Sequence, residues 1–112
     1  MSVIITKKRK GPYLILEYMV ADRPVSRLLA VYPDWDTSCM LISSLDTEKE
    51  YRSRGYASAL LKRSIWEAQR NGCKTIKLDD CSDAFGDDAH NIYVRHGFKY
   101  YYEDMPEMKM DI

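Results

Sequence analysis

At 112 residues the chain is long enough for one small domain with a single hydrophobic core and little beyond it. Seventeen lysines and arginines balance seventeen aspartates and glutamates, so no global basic surface points to nucleic acid, and no long apolar span points to a membrane. Cys39, Cys73 and Cys81 are odd in number without C-x-x-C spacing, and His90 and His96 stand near no ligand cluster; this excludes a disulfide framework and a four-ligand metal site and reads as reduced thiols in a cytoplasmic protein.

Val3 to Thr6 is a short β-branched run, followed by Lys7-Lys8-Arg9-Lys10 and the turn signal Gly11-Pro12. The four cations suit a solvated turn or an edge strand, where charge discourages sheet-to-sheet aggregation, ahead of an acidic partner. Tyr13 to Val20 is rich in aromatic and branched residues and reads as a strand. Ala21-Asp22-Arg23-Pro24 makes a hairpin-length break, Val25 to Tyr32 resumes extended structure, and Pro33-Asp34-Trp35-Asp36 breaks it again. Cys39 to Leu45 is an apolar run of strand length. Strands joined by short breaks predict an antiparallel meander of about four strands before the first helix.

From about Tyr56 the pattern turns helical, with Ala57, Leu61, Ile65 and Ala68 on one face, and it stops at Asn71-Gly72. Thr75 to Leu78 is a short strand, parallel to the one ending at Leu45 because a helix crosses over between them. After Asp79-Asp80-Cys81-Ser82-Asp83 comes a shorter helix holding Ala89, Ile92 and Tyr93, stopped at His96-Gly97. Phe98 to Tyr102 and Met108 to Ile112 read as two final strands. The expected fold is α/β (α+β): one domain over residues 1–112, with a mixed, mostly antiparallel sheet of about seven strands and two helices, in the order β-β-β-β-α-β-α-β-β.

The strand-to-helix junction carries the chemistry. The first N–H groups of a helix lack intrahelical partners, and the helix dipole adds partial positive charge there. Gly55 removes a side chain where a ligand would approach, Ala57 keeps the next position small, and Arg52 and Arg54 add planar donors suited to phosphate oxygens. The ligand predicted here carries phosphate. Neither G-x-G-x-x-G nor G-x-x-x-x-G-K-[ST] occurs in the chain.

Arg52-x-x-Gly55-x-Ala57 resembles the pyrophosphate signature [Q/R]-x-x-G-x-[G/A] of the GNAT superfamily of N-acetyltransferases. Ala89-x-x-x-Tyr93-x-x-x-Gly97-Phe98, with Ile92, is similar to that family's second motif, and Leu45 followed by Glu50-Tyr51-Arg52 to its approach to the loop. Met108-Lys109-Met110 also fits the family's last strand. Two departures stand out. Gly11-Pro12 replaces the helices usual between the first two strands, which leaves the acceptor pocket open or completed by a second subunit of a homodimer. Gly86 stands where the family tends to have an asparagine.

The resemblance implies an acetyl-coenzyme A-dependent transfer of acetyl, without an acyl-enzyme, to a primary amine such as a lysine side chain, a polyamine or another cationic small molecule. Leu45, Asp46 and Thr47 would pair with the pantetheine arm like an added strand. The segment Arg52, Ser53, Arg54, Gly55, Tyr56, Ala57 and Ser58 would hold the pyrophosphate. Tyr93, protonated at neutral pH, would be the acid for the departing thiolate, although the same position also suits a packed core tyrosine. Leu41 stands where a branch of the family has a glutamate base, so Asp79 and Asp80 become the candidate bases. With Asp83, Asp87 and Asp88 they form an acidic cluster that would attract a cationic acceptor, or that caps helix starts. The rival from another class is a noncatalytic acyl-coenzyme A-binding module of the same fold; a nucleic-acid-binding domain using Lys7 to Lys10 rests on one short run.

Overall fold

The computed structural model describes residues 4–79, 92–100 and 107–112, the side chain of Asp79 excepted. Four strands come first, β1 (Ile5–Lys10), β2 (Tyr13–Val20), β3 (Arg23–Val31) and β4 (Cys39–Thr47), each antiparallel to the one before. Gly11 takes φ 55° in the turn between β1 and β2, and no helix stands between them. The next hairpin turns on Ala21 and Asp22, at φ 52° and 64°, the paired left-handed conformations that match strand twist in two-residue loops. The basic run lies inside β1, at the edge of the sheet.

Helix α1 (Tyr56–Arg70) crosses to β5 (Thr75–Asp79), which pairs parallel with β4. Helix α2 (Ile92–Arg95) follows, then β6 (Lys99–Tyr100) and β7 (Glu107–Asp111). The seven strands form one sheet in the order β1-β2-β3-β4-β5-β7-β6, with β7 inserted between β5 and β6. This is the mixed, mostly antiparallel architecture expected. The expected positions Asp80, Cys81, Asp83, Gly86, Asp87, Asp88, Ala89, His90, Tyr101 and Tyr102 lie outside the described residues.

Strand register puts Leu14, Leu16, Leu28, Ala30, Met40, Ile42, Ile76, Leu78 and Met108 on one face of the sheet, and all are buried in one cluster. Leu60, Leu61 and Ala68 of α1 and Tyr93 of α2 join that cluster, so both helices pack on this face.

The buried side of α1 differs from the apolar face read from the sequence. Ser64 and Glu67 are buried, while Ile65 is only partly so. Ser64 donates to the Leu61 carbonyl at 2.7 Å, which satisfies its hydroxyl within the helix. Glu67 accepts from Lys7 Nζ of β1 and from Arg63 Nε, each at 3.1 Å. Burial alone would raise its carboxyl, but those hydrogen bonds and charges together hold it below the usual value. A basic residue of the edge strand thus ties that strand to the helix.

Candidate functional site

Two interruptions of regular structure open the site. The first is a bulge in β4: Leu29 faces Ser44 and Ala30 faces Ile42, so Ser43 is the extra residue. A bulge bends its strand. Pairing of β4 with β5 accordingly stops at Ile42 opposite Leu78, while β4 continues to Thr47. Beyond Ile42 that edge of β4 has no strand beside it among the described residues, and an extended ligand arm could take the place.

The second interruption is the start of α1. Gly55 is its N-cap at φ 86° and supplies no side-chain cap. The first intrahelical bond runs from Ala59 N–H to the Gly55 carbonyl at 3.0 Å. The N–H groups of Tyr56, Ala57 and Ser58 therefore precede the helical ladder. Ser53, at φ 63°, is left-handed as well, so the turn carries a left-handed residue on either side of Arg54. A Cβ built on Gly55 would meet no protein atom within 4 Å. The glycine answers to its backbone angle and leaves open space in front of the helix.

Between these interruptions lies an open cleft of about 1100 Å³. One wall comes from a contiguous piece of chain, Ile42 to Thr47 of β4 and then Tyr51, Arg52, Ser53, Gly55, Tyr56, Ala57 and Ser58. The other comes from Ile92, Tyr93, Arg95 and His96 of α2 and its end. Nine of the ten residues expected to hold the cofactor line the cleft. Arg54 stands apart from that lining and lays its guanidinium 5.3 Å over the ring of Tyr51. Tyr18 and Tyr56 stack at 4.4 Å beneath the helix start, which fixes the first turn on the sheet.

Some of these side chains hold the wall together. Arg52 donates from Nε to the Thr47 carbonyl at 3.0 Å, clipping the loop to the end of β4. Ser26, buried on β3, donates to the Asp46 carbonyl at 3.1 Å and stands 2.8 Å from Thr47 Oγ1, so the Thr47 hydroxyl is engaged with the core. The Thr47 hydroxyl is therefore turned away from a ligand in the cleft.

The second wall ends in a Schellman cap. Phe98 N–H donates to the Tyr93 carbonyl and Gly97 N–H to that of Val94, at 3.0 and 3.1 Å, with Gly97 left-handed at φ 97°. The rings of Tyr93 and Phe98 meet edge to face at 5.8 Å, the hydrophobic contact that accompanies such caps. Tyr93 is both core and cleft: only 9% exposed, yet part of the lining.

The cap makes His96 the C-cap residue and delivers it to the cleft. Its Nε2 stands 2.6 Å from Ser58 Oγ, joining the two walls. Burial, reinforced by the cations Lys62 and Arg95, keeps its imidazole below the usual pKa. Sequence reasoning considered this histidine only as a metal ligand. The capping geometry latent in Tyr93, Gly97 and Phe98 was the signal that could have located it. Asp79 ends β5 in register with Glu107, and its side chain, like the whole of Asp80, lies outside the described residues. Among the described residues no three potential metal ligands gather.

A sequence profile of the acetyltransferase (GNAT) family matches residues 5–98. No curated protein matches the chain in sequence at a significant level. Among solved structures the chain is similar to GCN5 of Tetrahymena, at 11% identity and a TM-score of 0.73, covering 92% of this chain and 70% of that one. It is similar to the PaiA N-acetyltransferase of Thermoplasma acidophilum in complex with coenzyme A, at 14% identity and TM-score 0.75, with 90% and 62% covered. It is also similar to a GNAT family acetyltransferase from Elizabethkingia anophelis with acetyl-CoA bound, at 16% and 0.71, with 90% and 77% covered. With the profile spanning most of the sheet and both helices, the chain belongs to the acetyltransferase (GNAT) family.

Proposed function

We propose that the protein is an acetyl-coenzyme A-dependent N-acetyltransferase that passes acetyl directly to the primary amine of a cationic acceptor. The observation that carries this reading is the start of α1. Three N–H groups there, without intrahelical acceptors or a side-chain cap, open into a cleft beside the edge of β4 that no strand covers among the described residues. In this reading Tyr56, Ala57 and Ser58 hold the diphosphate through their N–H groups, with Arg52 adding charge. Backbone groups of Leu45 to Thr47 pair with the pantetheine arm, and an N–H there polarises the thioester carbonyl.

The amine attacks that carbonyl, the carbon–sulfur bond breaks, and Tyr93 gives its hydroxyl proton to the departing thiolate. Asp79 or Asp80 takes the proton lost by the amine. Burial pushes the thiols of Cys39 and Cys73 up, which speaks against a thiolate nucleophile at either and favours direct transfer.

The first test is calorimetry with acetyl-coenzyme A and coenzyme A, followed by thiol release in the presence of a polyamine or a lysine peptide. Binding of both ligands with amine-dependent thiol release is the expected result. Binding without release from any amine would favour the noncatalytic module; no binding at about millimolar ligand, a threshold of roughly 4 kcal/mol, would remove the coenzyme from the cleft altogether.

A further inference from the structure

The hydrogen bond between Ser58 and His96 joins the third residue of α1 to the C-cap of α2, and both side chains line the cleft. A serine hydroxyl has one hydrogen to give. Donated to His96 Nε2, it is withheld from a ligand at the helix start. Where His96 donates instead, from a protonated Nε2, the Ser58 O–H is released to the cleft. The charged groups facing the imidazole, Lys62 one turn beyond Ser58 on α1 and its own neighbour Arg95, both favour the neutral ring. An anion seated on the N–H groups of Tyr56 to Ser58 would oppose those cations and favour the imidazolium.

We propose that His96 is a positioning residue of this anion site: when a diphosphate binds, His96 takes up a proton, donates from Nε2 to Ser58 Oγ, and turns the Ser58 hydroxyl onto a phosphate oxygen. The inference rests on the coenzyme reading of the cleft and extends it to a proton linkage. Binding then tightens as pH falls, whereas a site without a titrating group would hold a fully ionised diphosphate equally well across the same range.

The probe is dephospho-coenzyme A, which keeps the diphosphate but lacks the phosphate monoester, a group that itself titrates near pH ~6. Calorimetry in buffers of different ionisation enthalpy counts the protons exchanged. The expected result is uptake of part of a proton per site at pH 6.5, with affinity rising between pH 7.5 and 6 by up to about tenfold, the limit set by a one-unit displacement. His96→Gln keeps an N–H donor near Ser58; it should bind about three- to tenfold more weakly at pH 6 and exchange no protons, within the same linkage arithmetic. His96→Phe should bind more weakly still.

Dephospho-coenzyme A bound without proton uptake, or uptake that survives in His96→Gln, would overturn the proposal while leaving the coenzyme reading intact. Binding of coenzyme A but not of dephospho-coenzyme A would overturn the diphosphate assignment. Failure of all coenzymes to bind would instead overturn the reading of the cleft. Should the variants not fold, the imidazole proton resonances of the unmutated chain decide. A His96 titration midpoint that rises with saturating ligand supports the proposal, and an unmoved one overturns it.

Discussion

The two walls of the cleft are built by opposite means. The β4–α1 wall is a continuous stretch from Ile42 to Ser58, shaped by backbone: a bulge, a left-handed serine, a left-handed glycine and an uncapped helix start. The α2 wall arrives from more than thirty residues further along the chain and is shaped by side chains, with a Tyr93–Phe98 edge contact and a histidine reaching across to Ser58. A backbone wall suits a ligand group common to every turnover, while a side-chain wall can move protons. On the proposed reading, binding falls chiefly to the first wall and chemistry chiefly to the second.

The largest effect should come from breaking the backbone wall. Gly55→Val forces a β-branched residue into φ 86° and fills the open space before the helix. Coenzyme A affinity should fall by at least about 100-fold in calorimetry, since left-handed strain and lost N–H alignment together exceed roughly 3 kcal/mol. Retained affinity would mean that the loop is only a turn. Tyr93→Phe tests the opposite wall. It keeps the ring packed on Phe98, so turnover should fall by about 100-fold or more while KM for acetyl-coenzyme A stays within about twofold. A parallel loss of both would make Tyr93 a binding or packing residue.

How much of this could be read beforehand follows the same division. Local patterns announced the meander, α1 and the glycine turn that opens it, because turn residues and periodicity act over a few positions. They did not announce the insertion of β7 between β5 and β6, which depends on pairing between distant strands. The buried face of α1 was read one step off, toward Ile65, because hydropathy cannot see that Lys7, sixty residues away, neutralises Glu67. Arg54 looked equivalent to Arg52 in sequence, yet one stacks on Tyr51 and the other clips Thr47. His96 went unassigned to the cleft because its partner, Ser58, lies thirty-eight residues earlier.

Smaller effects refine the support beneath each wall. Gly97→Ala places a Cβ 3.3 Å from Met110 Sδ at φ 97°, and should lower stability by about 1–2 kcal/mol in urea unfolding. Catalytic loss in the surviving folded fraction should exceed loss of coenzyme binding, because α2 carries Tyr93. Glu67→Gln should cost about 1 kcal/mol, since its partners Lys7 and Arg63 are partly solvated. The Glu67 carboxyl is held below its ordinary value in the fold, so its contribution is present above the unfolded pKa near ~4.3 and is lost as pH falls through the folded one. The gap between variant and parent should therefore close in acid, and a gap unchanged at low pH would assign the effect to packing.

The most direct test of the backbone wall is an amide-resolved NMR titration of the labelled chain with acetyl-coenzyme A. The largest shifts should fall on the N–H groups of Tyr56, Ala57 and Ser58, with a second set along Leu45 to Thr47. Saturable shifts confined elsewhere, with those amides unmoved, would contradict the assignment of the α1 start as the phosphate site.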